Sequence, residues 1–208
     1  QAMEVLLNVL KHDRNDTEII GYTLDVFYNV MSNEPVDKDD VSGVHVSTEL
    51  GGQFTEIFIK KQENITLLLT LLDEYDFHVR WPSVKLLTVL LTNRLKELQE
   101  IILVVPMGVS RLMDLLSDSR EIIRNDALLL LNWLTKGHAN IQKIVAFENA
   151  FGRIIDIIRE EGGSDGGIVV EDCLLLLQNL LRNNASNQNF FKEGSYIQKL
   201  EYFFHLDQ

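Results

Sequence analysis

The sequence predicts an all-α protein, an armadillo-type α-solenoid of roughly four to five stacked three-helix repeats. Two observations support this prediction. Two apolar stripes recur along the chain with one shared period, and a shorter, more polar helical segment precedes the first stripe of each repeat. The alternation of apolar and polar residues that a half-buried β-strand requires is largely absent.

The first apolar stripe is a set of three residues at i, i+3 and i+4, which share one face of a helix. It recurs after about 42 to 44 residues, within the range of HEAT and armadillo repeats. The first two copies lie farther apart, and removing an insert of about twenty residues between them restores the period. The copies are Leu6, Val9 and Leu10; Leu68, Leu71 and Leu72; Leu112, Leu115 and Leu116; Ile154, Ile157 and Ile158; and Leu200, Phe203 and Phe204.

A second stripe, at i, i+1 and i+4, keeps the same period. Helices with such a face cannot bury it alone, so neighbouring repeats are expected to stack on it. The shorter segment before each first stripe gives three helices per repeat, which favours armadillo over HEAT repeats. The second stripe comprises Leu86, Leu87 and Leu90; Leu130, Leu131 and Leu134; and Leu176, Leu177 and Leu180; the short segments are 54–61, 98–105, 141–147 and 187–192.

The long third helices are expected over residues 17–32, 77–93, 120–136 and 167–183. In an armadillo stack these helices line the concave surface. Pro82 falls inside the second of them, where it removes an amide donor. We therefore expect either a kink there or a helix that begins near Trp81.

The chain is expected to form a single domain over residues 1–208, as a fragment of a larger protein, because helical periodicity is present from its second residue. Two segments interrupt the repeats. Residues 33–52 are polar and acidic, with few large apolar groups, and predict a mobile insert. Residues 160–167 are glycine-rich, but no Gly-Lys-Ser/Thr follows, so they predict a flexible inter-helix loop rather than a phosphate cradle.

Charge and composition exclude several kinds of partner. The net charge of -12 and the pI of about 4.8 repel phosphate backbones and anionic lipids, so we expect no nucleic acid and no direct membrane insertion. The single cysteine, Cys173, lies in an apolar run and is expected to be a buried thiol. No disulfide is possible within the chain, and no apolar run nears the ~20 residues of a membrane span, which together indicate a cytosolic protein.

The sequence lacks the residue patterns typical of catalytic, metal-binding or cofactor-binding sites. The five histidines lie in different repeats, without a second ligand at metal-ligand spacing. There is no Gly-x-Ser-x-Gly elbow, no Walker sequence and no dinucleotide fingerprint. We therefore expect a non-catalytic protein that needs no cofactor and no metal.

Candidate protein-binding residues come from the third helices, by comparison with armadillo adaptors of the nuclear-transport or adhesion type. Those adaptors hold extended peptides with a ladder of Trp and Asn. Only Asn29 and Asn179 match the ladder, so a peptide-binding adaptor of that type is the weaker alternative. Aligned on the apolar stripe, the Trp positions here hold Asp25, Lys85, Leu129 and Leu175, and the Asn positions hold Asn29, Val89, Trp133 and Asn179.

We predict that a partner docks along the groove side of these helices, where apolar groups gain most when water is excluded. The alternative is that Leu129 and Trp133 simply pack against neighbouring helices. Arg80 with Trp81 is a candidate anchor at a helix start, but Arg80 aligns with Arg124, which favours a structural role for both in bridging acidic groups on adjacent repeats. The predicted contacts are Lys85, Val89, Leu129, Trp133, Leu175, Asn179, Arg80 and Trp81.

Four stretches of the sequence are distinctive: 54–60 (FTEIFIK), 76–82 (DFHVRWP), 106–116 (PMGVSRLMDLL) and 187–198 (NQNFFKEGSYIQ). Together they resemble the globular head of the general vesicular transport factor family. Similar matches at 141–151 and 164–184 extend the resemblance over nearly the whole chain.

That resemblance implies a long tether with an armadillo head, a dimeric coiled-coil tail and an acidic end, acting in endoplasmic reticulum to Golgi and intra-Golgi transport. It implies recruitment by a Rab-family small GTPase in its GTP form, and contacts with golgins, SNARE proteins and the oligomeric Golgi tethering complex. The full-length protein would be a homodimer in the cytoplasm, peripheral on Golgi and ER-Golgi intermediate membranes. No motif transfers the GTPase contacts to individual residues of this chain.

Overall fold

The computed structural model describes residues 1–32 and 50–204, which form thirteen α-helices and two short 3-10 helices. No strand occurs among these residues, so the all-α prediction is confirmed. None of the helices in these two ranges combines the length and the apolar character needed to span a bilayer. The chain divides into two compact units, Gln1–Val105 and Pro106–Gln208, and the expectation of a single domain stays a prediction.

The first unit contains, in its described residues, α1 (Ala2–His12), α2 (Thr17–Met31), α3 (Leu50–Ile59), α4 (Gln62–Leu71), α5 (Phe77–Asn93) and α6 (Leu95–Val104). The most extensive packing joins α2 to α5. Phe27 of α2 meets Phe58 of α3 edge to face, with ring centroids 5.3 Å apart. Asn93 at the end of α5 donates to the Met31 carbonyl at 2.8 Å, which fastens α5 to the end of α2.

The second unit contains α7 (Gly108–Asp114), α8 (Glu121–Leu134), α9 (Ala139–Phe147), α10 (Ala150–Glu160), α11 (Gly167–Leu181), α12 (Ala185–Glu193) and α13 (Tyr196–Phe203), with 3-10 helices at Leu115–Ser117 and Gly163–Asp165. α8 packs on α11, and α10 packs on both α11 and α13. The ring of Phe151 in α10 lies 4.9 Å from that of Phe191 in α12 and 5.6 Å from that of Tyr196. These three rings tie the last helices of the unit together.

The repeated apolar stripes supply the core. Every residue of the second stripe is buried, in α5, α8 and α11 alike. In the first stripe, the copies at α4, at α7 with its 3-10 helix and at α10 are buried, apart from a half-buried Ile157. Since burying one leucine or isoleucine contributes about 1.5–3 kcal/mol, these stripes dominate the packing. The copies in α1 and α13 are less buried, although Leu10 is fully enclosed.

The four long helices begin and end within two residues of their predicted bounds, as α2, α5, α8 and α11. Side-chain caps account for two of the starts. Asp16 Oδ1 accepts the N–H of Ile19 at 3.2 Å, and Asp76 Oδ1 accepts the N–H of His78 at 2.8 Å. Each cap satisfies an amide that has no partner within its own helix.

The predicted insert at 33–52 falls mostly outside the described residues. Its last residues, 50–52, are described and form the first turn of α3. For 33–49 the expectation of a mobile insert therefore stays a prediction. The glycine-rich segment 160–167 joins α10 to α11 and contains the 3-10 helix Gly163–Asp165.

Pro82 lies inside α5, which begins at Phe77, so the alternative of a helix start near Trp81 is wrong. Because proline has no N–H, it cannot donate to the carbonyl of His78 four residues earlier. That carbonyl faces α2, and a Cβ atom placed on Gly21 would lie 2.6 Å from it. Only glycine therefore fits where α2 meets the backbone of α5.

Candidate protein-binding surfaces

The predicted contact residues lie on long helices in both units. In the first unit the set is Arg80, Trp81, Lys85 and Val89, all on α5. In the second unit the set is Leu129 and Trp133 on α8 with Leu175 and Asn179 on α11. Each set is therefore described within its own unit.

A groove of about 570 Å³ lies between α2 and α5 in the first unit, and is called the α2–α5 groove below. Besides Thr17 at its start, α2 contributes residues at i, i+3, i+4 and i+7, which share one face of that helix. From α2 these are Glu18, Gly21, Tyr22 and Asp25, and from α5 the lining includes Phe77, Trp81 and Lys85.

The α5 side of the groove consists of two stacked aromatic rings with a lysine ammonium group over one of them. The rings of Phe77 and Trp81 stack at 5.2 Å with 17° between their planes. The Nζ of Lys85 lies 3.7 Å from the Trp81 ring centroid and 5.1 Å from that of Tyr28. Cation–π contacts of this kind contribute about 0.5–1 kcal/mol at exposed sites. Val89, one turn further on, is half-buried.

Arg80 and Arg124 fasten the starts of their helices to the preceding turns. Arg80 Nε donates to the Leu72 carbonyl at 2.9 Å, and its guanidinium lies 5.5 Å from the Tyr75 ring centroid. Arg124 Nη1 donates to the Asp118 carbonyl at 2.8 Å. Both contacts are with backbone carbonyls of the preceding turn. The bridging of acidic groups on adjacent repeats and the role of Arg80 as an anchor both stay predictions.

The second unit exposes apolar residues on α8 and α11, which pack on one another. Leu129 is 42% exposed and Leu175 is 46% exposed, whereas Trp133 is half-buried with Lys136 Nζ 4.8 Å from its ring centroid. Leu129 therefore has exposed apolar surface that a partner could cover. Leu129, Trp133, Leu175 and Asn179 are called the α8–α11 surface below.

Asn179 links the two helices of this surface. Its Nδ2 donates to the carbonyl of Asn132 at 3.0 Å, and Asn132 Nδ2 in turn donates to the carbonyl of Asp172 at 3.2 Å. One of the two asparagines that match the peptide-binding ladder thus bonds to a neighbouring helix. This geometry weakens the alternative of a ladder-type peptide adaptor.

Two titratable groups of α11 lie in surroundings that disfavour their charged forms. Burial, and then the neighbouring charge of Glu171, raise the pKa of Asp172. Burial, followed by the charges of Asp172 and Glu161, raises the pKa of the Cys173 thiol to about 12. Cys173 is therefore a protonated, buried thiol at neutral pH, as predicted. Within the described ranges, no group of three or more His, Cys, Asp or Glu residues is arranged to hold a metal ion.

The sequence-based prediction omits the α2 side of the groove. Glu18, Gly21 and Tyr22 are absent from the predicted contacts, and Asp25 enters only as a ladder position. Their i, i+3, i+4 and i+7 spacing could have shown from the sequence that they share one face of α2. It does not reveal which other helix meets that face, because α5 lies far along the chain.

No protein family model matches the chain. The chain is 66% identical over 206 residues to general vesicular transport factor p115 of Homo sapiens, covering 99% of this chain and 21% of that protein. It is 34% identical over 199 residues to intracellular protein transport protein uso1 of Schizosaccharomyces pombe, covering 96% of this chain and 18% of that protein. A crystal structure of Uso1-1 superposes with a TM-score of 0.83 at 28% identity, over 97% of this chain and 33% of that chain.

Helices that recur in sets of three define an armadillo-type α-solenoid, and the crystal structure of a relative confirms that predicted class. Over nearly its whole length, the chain belongs to the general vesicular transport factor family. The resemblance carried by the four distinctive stretches is thus confirmed. The chain spans 21% of the length of the human relative, so it corresponds to one segment of that protein.

Proposed function

We propose that this chain is a non-catalytic protein-interaction scaffold, a segment of the head of a vesicle-tethering factor in endoplasmic reticulum to Golgi and intra-Golgi transport. The observation that carries the proposal is the 66% identity, over 99% of the chain, to a general vesicular transport factor. The geometry agrees with a scaffold, because exposed apolar side chains stand on helices held by buried stripes.

The α8–α11 surface is the docking site we propose for the recruiting partner. Its exposed leucines would lose contact with water in a complex, which contributes about 25 cal/mol per Å² of apolar area. The bond from Asn179 to the Asn132 carbonyl fixes α11 against α8 before the partner arrives. Such preorganisation reduces the entropy lost on binding.

The partner proposed for this surface is a Rab-family small GTPase in its GTP form. Golgins, SNARE proteins and the oligomeric Golgi tethering complex are the further partners proposed for the full-length protein, which would act as a homodimer. It would work in the cytoplasm, peripheral on Golgi and ER-Golgi intermediate membranes. A net charge of -12 suits recruitment by a protein better than direct attraction to anionic lipid.

Calorimetric titration of this chain with an early-secretory Rab GTPase tests the proposal. The GTPase is loaded with a GTP analogue, and its GDP form is the control. We expect binding that is selective for the GTP form. Leu129→Ala and Trp133→Ala should each weaken that binding about tenfold, since truncating a central contact residue costs 1–2 kcal/mol or more.

Phe147→Ala is the matched control, because it removes an aromatic ring that is 88% exposed on α9, outside the α8–α11 surface. Its affinity should equal that of the unaltered chain. Leu129→Ala guards against a folding defect, since Leu129 is exposed whereas Trp133 is half-buried. Binding to neither nucleotide form, or equal binding to both, would contradict the proposed recruitment; unchanged affinity in both α8 variants would contradict the proposed surface.

A further inference from the structure

The α2–α5 groove combines an aromatic wall with an acidic one. Tyr22, which is 64% exposed, and Trp81 supply large apolar surface, and the Tyr22 hydroxyl donates to Glu18 Oε1 at 3.4 Å. Glu18 and Asp25 place carboxylates on the same face of α2, one turn before and one turn after Gly21. The groove volume of about 570 Å³ lies within the range of pockets that enclose ligands.

The floor of this groove is backbone. Gly21 and His78 both line the groove, and the His78 carbonyl oxygen lies 2.6 Å from the position that a Cβ of residue 21 would take. Pro82 cannot donate to that carbonyl. A side chain that enters the groove therefore meets a floor at which the backbones of α2 and α5 touch, at Gly21 and His78.

A third carboxylate stands at one end of the groove. Asp76 caps α5, and its pKa is lowered chiefly by the hydrogen bond from the His78 N–H, with a further contribution from the side chain of Thr17, which lines the groove. Asp76 is therefore ionised at neutral pH. Its charge adds to that of Glu18, so this end of the groove attracts a cation.

The ammonium group of Lys85 already makes cation–π contacts with the aromatic wall. Lys85 Nζ lies 3.7 Å from the Trp81 centroid and 5.1 Å from that of Tyr28, so both rings attract a cation from within the chain. A lysine or arginine brought by a partner would meet the same attraction. It would also be repelled by Lys85, which occupies part of the wall.

We propose that the α2–α5 groove binds a linear segment of a partner protein in which a lysine or arginine stands next to an aromatic or branched aliphatic residue. The apolar side chain enters between Tyr22 and Trp81 over Gly21, and the cation pairs with Glu18 or Asp25. A net charge of -12 disfavours a second copy of this chain or an anionic lipid as occupant. The inference rests on the scaffold role proposed above and adds a second docking site with a defined ligand class.

The test selects a library of random linear peptides against the whole chain and measures the enriched peptides by fluorescence anisotropy. Enriched peptides should carry a basic residue beside an apolar one. Tyr22→Ala should weaken their binding about tenfold, as expected for a contact aromatic. Glu18→Gln combined with Asp25→Asn should weaken it several-fold and flatten its salt dependence, because the screened charges are gone.

Lys85→Gln should raise the affinity for the peptides, whereas the substitutions above lower it. It removes the cation that competes for the aromatic wall, so basic peptides should bind more tightly. Tyr202→Ala is the matched control for Tyr22→Ala, because Tyr202 is a tyrosine 77% exposed on α13. Glu4→Gln combined with Glu63→Gln is the control for charge, since both carboxylates are exposed on the first unit and lie outside the groove lining.

Measuring both peptide binding and GTPase binding on the same variants tests the two proposed docking sites independently. Leu129→Ala should leave peptide binding unchanged, and Tyr22→Ala should leave the Rab titration unchanged. The inference is overturned if the enriched peptides lack a basic residue beside an apolar one. It is also overturned if they bind Tyr22→Ala and Tyr202→Ala with equal affinity. The result of the GTPase titration does not depend on either outcome. Self-association that Tyr22→Ala abolishes in sedimentation overturns the inference as well, because the occupant is then a second copy.

Discussion

At Gly21 the missing side chain lets α2 touch the backbone of α5, and replacing it with alanine should destabilise the first unit. The new Cβ would lie 2.6 Å from the His78 carbonyl oxygen, so the backbone itself must move. Overpacking of this kind costs about 1–3 kcal/mol, against which the better helix propensity of alanine returns up to about 1 kcal/mol. Urea denaturation of Gly21→Ala should show a lower free energy of unfolding.

Gly152→Ala is the matched control, another glycine within a helix. Its Cβ would meet the side-chain amide of Asn149, an exposed group that can swing away. We expect that variant to match the unaltered chain within about 0.5 kcal/mol or to exceed it, because alanine favours the helix. Equal losses in the two variants would show that the approach of α2 to α5 does not depend on Gly21.

Buried amides show where residue patterns alone fall short. Asn184 Nδ2 donates to the Gln142 side chain at 3.0 Å, and Asn187 Nδ2 donates to the carbonyls of Gln142 and Leu180. These bonds connect α9, α11 and α12, whose contacts arise only when the repeat folds. Asn179 is a similar case, since its match to a ladder position says nothing about the carbonyl it bonds.

On the scale of helices, the start of α5 depends on one carboxylate. Asp76→Ala removes the cap on the His78 N–H and should lower the free energy of unfolding by about 0.5–2 kcal/mol. Because the folded pKa of Asp76 is lowered, its contribution is present above the pKa of the unfolded carboxyl and is lost as the pH falls through the folded value. Denaturation of both proteins across pH should show their difference shrinking below a pH of about 4.

Asp76→Asn is the control for this titration. Asparagine caps a helix about as well as aspartate but has no charge to lose. The variant should keep most of the stability that Asp76→Ala loses, and its difference from Asp76→Ala should stay constant in acid. A gap between the unaltered chain and Asp76→Ala that also stays constant in acid would mean that the Asp76 charge does not stabilise α5.

The helices themselves were predictable because two independent signals agree: apolar periodicity marks the buried face, and capping residues mark helix starts. Apolar stripes such as Leu86, Leu87 and Leu90 mark the buried face, and Asp16 and Asp76 mark two starts. The groove was only half predictable. Lys85 and Trp81 stood out on α5, but the contribution of α2 depends on a close approach that no periodicity reveals.

At the scale of the whole molecule, the two units offer different chemistry to partners. The first carries a groove with aromatic and acidic walls, and the second carries an exposed apolar surface on α8 and α11. Two proposed docking sites of different chemistry on one chain suit a scaffold that engages more than one partner. That is the role proposed for this segment within a longer tether.

Exchange of the matching segment tests the central claim most directly. In cells that lack their own general vesicular transport factor, the human relative p115 is expressed with its matching 206 residues replaced by this chain, and cargo movement from endoplasmic reticulum to Golgi is timed. We predict that the exchanged protein restores transport, and that Leu129→Ala combined with Trp133→Ala slows it while Phe147→Ala does not. A stable exchanged protein that leaves transport unrestored would contradict the proposed tethering role.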